Sequence, residues 1–287
     1  MPGDRDRMMW VICIDFKILS SYGDKVKAEA DMKAKMDKAD LLGEAKERFI
    51  AELEGQRSWQ KDGLKEEIVV SGPLSPEQAI GDTGRDDLVI LRGREVLVQA
   101  VFRGCAGQAF SADRGHFQGT LEDVLKMPLK SIFERAVLVA TMNAVLRYLG
   151  LVEGTVHCRD SGPKMCAQST GTWISEQKAG KVGMVGLQPA LLEAVVRVMG
   201  PERVMVSDLA EAGQERCGVK VLDGLDSSRI FEQCPLVLIT GSTIVNGTVD
   251  GLMELAGQHG CRVVFFGTTI AGAAYLLGLE RWCPEST

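Results

Sequence analysis

Thr240, Ser242, Thr243 and Asn246, with Gly241 among them, crowd into one connection of the stretch LVLITGSTIVNGT, Leu236 to Thr248. The first half of that stretch is an unbroken apolar run, the pattern of a strand buried on both faces, and a helical pattern follows from Val249. Hydroxyls and an amide therefore gather past the carboxyl end of a central strand, where open α/β sheets bind small molecules. The alternative reading gives the same side chains the work of capping the next helix and filling its turn.

A second set lies in TVHCRDSGPKMCAQ, Thr155 to Gln168, where His157, Cys158 and Cys166, with Asp160 nearby, offer the imidazole, thiolate and carboxylate ligands that zinc and softer metals take. The chain has no CxxC, no second Cys/His pair at zinc-finger spacing and no HExxH, so an ordinary linker is the competing account. A third pair suits an adenosine-type ligand. Gly186 sits where a strand turns into a helix, and Asp208 follows the next strand at about the interval from which an acidic residue grips a ribose hydroxyl. The turn reads GMVGLQP and not G-x-G-x-x-G, which argues against NAD or FAD, and no G-x-x-x-x-G-K-[ST] loop is present for a nucleoside triphosphate.

The elements that must position these groups are clearest in the last part of the chain. Strand patterns at Lys181–Gly186, Val204–Val206, Val219–Leu222, Leu236–Ile239 and Val263–Phe266 alternate with helical patterns at Leu187–Met199, Ser227–Gln233, Val249–Gln258 and Ala271–Leu277. Such alternation predicts a parallel, doubly wound sheet of Rossmann type. In it the GTTIAG turn, Gly267 to Gly272, should open on the same edge as the TGST turn and form the opposite wall, with an anionic oxygen of the ligand meeting a helix N-terminus.

Earlier in the chain the patterns are weaker. Leu88–Leu91 and Glu95–Phe102 read as a hairpin turning at Arg92 and Gly93, and RGCAGQAFSADRGHF, Arg103 to Phe117, reads as a polar loop with too many glycines to form an element. Leu129–Leu149 is a core helix closed by Gly150, with Asn143 facing solvent or, alternatively, a cleft. Asp24–Gln56 is one long helix, or two broken near Gly43, with an apolar stripe at Ala28, Met32, Met36, Ala39, Leu42, Ala45, Phe49 and Leu53. Packing on its own domain or dimerisation would each use that stripe.

The chain has 287 residues, 45% of them hydrophobic and 25% charged, enough for two domains and a sizeable core. A net charge of -6 gives no electrostatic reason to expect nucleic acid or anionic membrane as a partner. The apolar run Met8–Ile14, closed by Asp15 and Lys17, is too short to span a bilayer and lacks a signal-peptide cleavage pattern. Eight scattered cysteines in a chain this large fit a reducing cytoplasm.

Five segments together carry a resemblance: LVLITGSTIVNGT, KVGMVGLQPALLEAV, VFFGTTIAG, VFRGCAGQAF and ERAVLVATMNAVLRYLG. From about Glu66 to the C-terminus the chain resembles the putative heavy-metal chelation family, a domain of unknown function. The resemblance implies an N-terminal α+β domain, residues 1–160, similar to the enolase N-terminal fold, followed by a Rossmann-like domain, residues 161–287, with a site between them. It implies ligand-binding roles for Gly186, Asp208, Thr240, Gly241, Ser242, Thr243, Asn246, Gly267, Thr268 and Thr269, and for Gly104, Gly107, Phe110 and Asn143 in the first domain. No catalytic residue transfers with it.

The expected function is binding or modification of a small metal-chelating molecule, siderophore-, pterin- or flavin-like, in an interdomain cleft. The alternatives are a methyltransferase-like or ligase/hydrolase-type enzyme using an adenosine-containing ligand, and a non-catalytic oligomeric binding module. The expected partners are a small-molecule ligand, a metal chelate or an adenosine compound, with no nucleic acid, no membrane insertion and a homo-oligomer as a possibility.

Overall fold

Two sheets share the long buried helix Ile132–Tyr148 and the turns that face it. The computed structural model describes residues 40–56, 61–92 and 95–287. The run Met8–Ile14, the stripe residues Ala28 to Ala39 and the Gly93 turn lie outside the described residues. Everything described falls within one compact unit, Asp40–Thr287.

The described chain begins with α1, Leu41–Gly55, and Asp40 caps it by accepting a hydrogen bond from the Gly43 N–H at 2.9 Å. The helix start thus falls at Asp40, and Gly43 lies inside the helix without breaking it. The stripe Leu42, Ala45, Phe49 and Leu53 is buried within the chain, and α1 packs on a helix of the second sheet, Ala271–Leu277.

Strand β1, Glu67–Ser71, and helix α2, Pro76–Ile80, precede a 3-10 turn at Val89–Arg92, then β2, Val96–Phe102, β3, Cys105–Ser111, and β4, Phe117–Thr120. These strands form an antiparallel sheet in the order β3-β2-β1-β4. Two sequence expectations are corrected here. Leu88 and Ile90 are buried in a small cluster with Ala79, Ile80 and Leu97, and the segment coils there instead of pairing as a strand. The hairpin lies one step later, with β2 pairing β3 from Val96↔Ser111 to Phe102↔Cys105. Its two-residue turn is Arg103 and Gly104, both with positive φ (47° and 81°), as a tight hairpin demands. The presumed loop of RGCAGQAFSADRGHF is therefore mostly strand.

Helix α3, Leu121–Leu125, leads to α4, Ile132–Tyr148, in which every residue from Ala136 to Leu146 is buried. It lies on β2 and β3 on one side and against the helices Thr243–Asn246 and Ala271–Leu277 on the other. The close approach to β3 is made at Gly107, where a Cβ would sit 2.2 Å from the Ala144 nitrogen and 2.4 Å from the Ala140 oxygen.

The segment expected to be a linker becomes α5, Gly162–Gln177, with Pro163 in its first turn. From there the parallel series follows: β5, Val182–Val185; α6, Pro189–Met199; β6, Val204–Asp208; a short β7, Glu215–Arg216; β8, Val219–Asp223; and α7, Ser228–Gln233. It continues with β9, Leu236–Thr240; α8, Thr243–Asn246; α9, Val249–His259; β10, Arg262–Phe266; α10, Ala271–Leu277; and β11, Arg281–Trp282. The order is β11-β10-β9-β5-β6-β8-β7, parallel throughout except where β7 meets β8. The chain thus runs outward from β5 through β6 and β8, then returns to β9 on the other side of β5. The reversal point lies between β5 and β9.

Gly107→Ala should lower stability by about 3 kcal/mol, the upper end of the cost of overpacking, because its Cβ meets helix backbone that cannot swing aside. Gly104→Ala, with nothing within 4 Å of its Cβ, should cost only the left-handed backbone penalty of about 1–2 kcal/mol. Urea denaturation of the two variants checks the difference.

Candidate functional site

At the carboxyl ends of β5, β6, β9 and β10 lies a cavity of about 440 Å³. One wall comes from the parallel sheet: Gly186 and Gln188 after β5, Ser207 and Asp208 at the end of β6, Thr240 to Thr243 after β9, Asn246 at the end of α8, and Gly267 and Thr269 after β10. The other wall comes from the first sheet and its connections, through Ile80, Leu88, Ile90, Glu95, Phe110 and His157. The surface is mostly apolar, with Val185, Leu187 and Phe266 adding to it.

The structure brings together most of the residues singled out in the sequence. Thr268, Gly104, Gly107, Asn143, Cys158 and Cys166 do not line the cavity. Gly104 forms the hairpin turn and Gly107 admits α4, as described above. Asn143 is completely buried, which corrects the solvent-facing reading. Its Nδ2 lies within hydrogen-bond distance of the carbonyls of Gln108 (2.9 Å), Thr268 (3.2 Å) and Thr269 (3.2 Å), and its Oδ1 accepts from the Gly272 N–H at 2.7 Å. The amide joins β3 to the turn after β10 and does not line the cavity. Thr269 reinforces the joint by accepting a hydrogen bond from the Phe110 N–H at 3.0 Å. Thr268 is buried, and its Oγ1 has no partner among the described residues.

The TGST turn does not cap a helix. Ser242 and Thr248, at the N-caps of α8 and α9, make no side-chain capping bond; Thr243 Oγ1 donates to the Thr240 carbonyl at 2.8 Å instead. Helix α8 is a single turn, so the strong helix dipole expected at this point is absent. Gly241 permits a close approach of the two turns, because a Cβ there would lie 2.8 Å from the Ile270 nitrogen.

Asp208 lines the cavity and also serves the backbone. One of its oxygens accepts the Leu187 N–H at 2.7 Å, and the other accepts those of Ala210 and Glu211 at 2.8 and 3.1 Å. The carboxylate binds the turn after β5 to the turn after β6, the work of a structural anchor more than of a ribose grip. Asp160, at φ 55°, likewise serves the backbone: its Oδ1 accepts the Asp82 N–H at 3.0 Å and its own N–H donates to the Ile80 carbonyl.

The expected metal set stays close together, with Cys158 Sγ 3.8 Å from His157 Nδ1, but does not form a metal-holding group. Among the described residues no group of three or more His, Cys, Asp and Glu side chains is arranged to hold a metal ion. Burial pushes the Cys158 thiol far up and the Cys166 thiol up to about 12, so both stay protonated and poor as ligands. His157 turns into the cavity instead. Burial lowers its pKa, and its Nδ1 lies 2.7 Å from the Cys158 carbonyl, which fixes the neutral tautomer with Nδ1–H donating. Nε2 is then an acceptor. Gln108 places the residue by accepting the His157 N–H on its Oε1 at 2.7 Å.

The cavity also holds a residue that sequence reasoning passed over as the start of a strand. Glu95 is half-buried in the wall. Desolvation raises its pKa, the negative charge of Asp208 raises it further, and a hydrogen bond from the Asn246 amide lowers it in part. Asn246 Oδ1 is buried without a partner among the described residues. Nothing in the local pattern REVLVQAVF distinguishes this glutamate from an ordinary polar strand end.

Among known proteins, the family model DUF364, described as putative heavy-metal chelation, matches residues 170–277. The resemblance read from the sequence is shown over that region. Two solved structures, both of proteins of unknown function from that family, are similar to this chain. One is from Pyrococcus horikoshii, at 17% identity and a TM-score of 0.46, covering 80% of this chain and 79% of that one. The other is from Desulfitobacterium hafniense, at 18% identity and a TM-score of 0.45, covering 81% and 82%. No curated protein matches the chain. Among the described residues no helix is long and apolar enough to cross a membrane.

Two outcomes follow from the titrating groups. Because the Glu95 pKa is raised on folding, its stabilising contribution is full below the ordinary glutamate range and is lost as pH rises through the raised value. Urea titrations carried upward from the ordinary glutamate range should show this decline, and Glu95→Gln should flatten it. Native Cys158 and Cys166 should react with a thiol reagent at least about a hundredfold more slowly than in urea, since burial removes both access and thiolate. Mass-spectrometric mapping of the modified cysteines reads this directly.

Proposed function

We propose, from the family match over residues 170–277 and the cavity at the strand ends, that this chain binds a small metal-chelating molecule there. The observation that carries the reading is the cavity itself. Its size suits a compact ring system, and its walls are apolar with a few convergent polar groups, the usual make-up of a small-molecule site. It sits where the strand order reverses, the place at which open parallel sheets receive ligands.

Chelation by the ligand, and not by the protein, agrees with the protonated thiols and with the absence of a metal-holding cluster among the described residues. The adenosine reading is weakened because Asp208 already accepts three backbone N–H groups. A hydrolase with an activated hydroxyl is weakened as well, since the Ser207 hydroxyl pairs with that of Ser227 at 2.9 Å and not with a base.

Native mass spectrometry of protein purified without added ligand tests this. The expected result is a small-molecule adduct that leaves on denaturation and is reduced in Leu209→Trp, which adds bulk to a half-exposed residue of the cavity wall. A ligand held at a hundred times its dissociation constant stabilises by about 2.7 kcal/mol, so its removal should also lower the melting temperature. An adduct retained unchanged by the variant would place the ligand elsewhere. Stoichiometric metal that persists with no organic adduct would transfer the chelation to the protein.

A further inference from the structure

Resting on that reading of the cavity, we infer that its polar end, at Glu95, is built to receive a cationic group bearing several N–H donors on an apolar body, such as an amidinium or guanidinium on a ring. The inference begins from the charges on the wall. The described titratable groups that line the cavity are Glu95, Asp208 and a neutral His157, and no described lysine or arginine lines it. An anionic oxygen placed there would face two carboxylates.

Backbone donors do not compensate. Two eleven-residue helices start on this wall, and α6 spends first-turn donors within the protein: Pro189 has none, Leu191 N–H goes to Gln188 Oε1 at 2.6 Å and Leu192 N–H to the Gln188 carbonyl. The Leu187 N–H just before it is taken by Asp208. Helix α9, starting beside Thr248, carries Asp250 in its first turn. The helix ends that suit an anion elsewhere are here largely spent, at α6, or faced by a carboxylate, at α9.

Of the two described carboxylates on the wall, Glu95 has the more capacity to spare. The Asn246 amide engages it, which orients the group while leaving acceptor positions open. Desolvation and the charge of Asp208 oppose its ionisation, and a cation seated against it would relieve both. A planar amidinium can pair two N–H donors with the two carboxylate oxygens at once, and the neutral Nε2 of His157 is a further acceptor on the same cavity wall. Phe110, Ile90 and Leu88 supply apolar surface for the ring.

Three matched probes test the charge class: 2-naphthamidine, the neutral 2-naphthamide and the anionic 2-naphthoate, each titrated into the full chain by thermal shift and calorimetry. The amidine should bind about tenfold or more tightly than the amide, as a charge-assisted pair does over a neutral one, and the carboxylate should bind weakest. In Glu95→Gln, which keeps the shape, the amidine should fall to the level of the amide. Naphthoate binding as tightly as the amidine, or an amidine that binds Glu95→Gln undiminished, overturns the inference while leaving a ligand cavity in place. The order of the three probes on the unaltered chain decides the matter even if the variant fails to fold. If none of the three shifts the melting temperature at millimolar concentration, the cavity reading falls and the inference with it.

Discussion

A single buried amide holds the molecule to its shape. Asn143, in the middle of α4, contacts a carbonyl of β3 and two carbonyls of the turn after β10, and accepts the N–H of Gly272 at the start of α10. A group that polar costs several kcal/mol to bury unpaired, so it is tolerated only because its partners are in place. The partners in turn fix how the antiparallel sheet meets the parallel one. Gly107 and Gly272 make the geometry possible, the first by letting strand backbone touch helix backbone and the second by leaving room for the amide oxygen, which would lie 2.9 Å from a Cβ. The cavity is the space left between the two walls once this joint is made.

The site is accordingly a product of connections more than of any element. Gly186, at φ 87°, turns the chain over Thr240; Gly241 brings the turn after β9 against Ile270; Asp208 fastens the turns after β5 and β6 together. Each does structural work that leaves the cavity wall smooth and mostly apolar. The hydroxyls of the TGST turn follow the same logic, because Thr243 bonds back to Thr240 before any ligand is considered.

The parallel sheet was legible because each of its central strands is an apolar run ended by glycine or polar residues, and each intervening helix carries a periodic face. Five strand patterns from Lys181 to Phe266 fall within a residue or two of observed strands. The first sheet was legible only in part. In β3 the glycine and small residues that read as loop are what allow the strand to lie against α4, a tertiary demand that no local pattern expresses. Asn143 looked solvent-exposed for the same reason: an indifferent helix former belongs on the surface unless distant carbonyls surround it. Among the site residues, those following strands were findable by topology. Glu95 was not, since its significance depends on Asp208 and Asn246, more than a hundred positions away, and on apolar neighbours that only the fold assembles.

The Asn143 joint also bears on how the chain acquires its structure. Its contacts with Thr268, Thr269 and Gly272 close loops of 125, 126 and 129 residues, and they cannot form until β10 has been added to the parallel sheet. Until then the Asn143 amide has only its partner in β3, the Gln108 carbonyl, and its Oδ1 lacks the Gly272 N–H, which weakens the docking of helix on sheet. Contacts so distant in sequence pay their loop-closure entropy before they are rewarded. The full packing of α4 on β3 is thus coupled to the presence of the last strands, because one side chain satisfies both. Cavity and native packing come into being together.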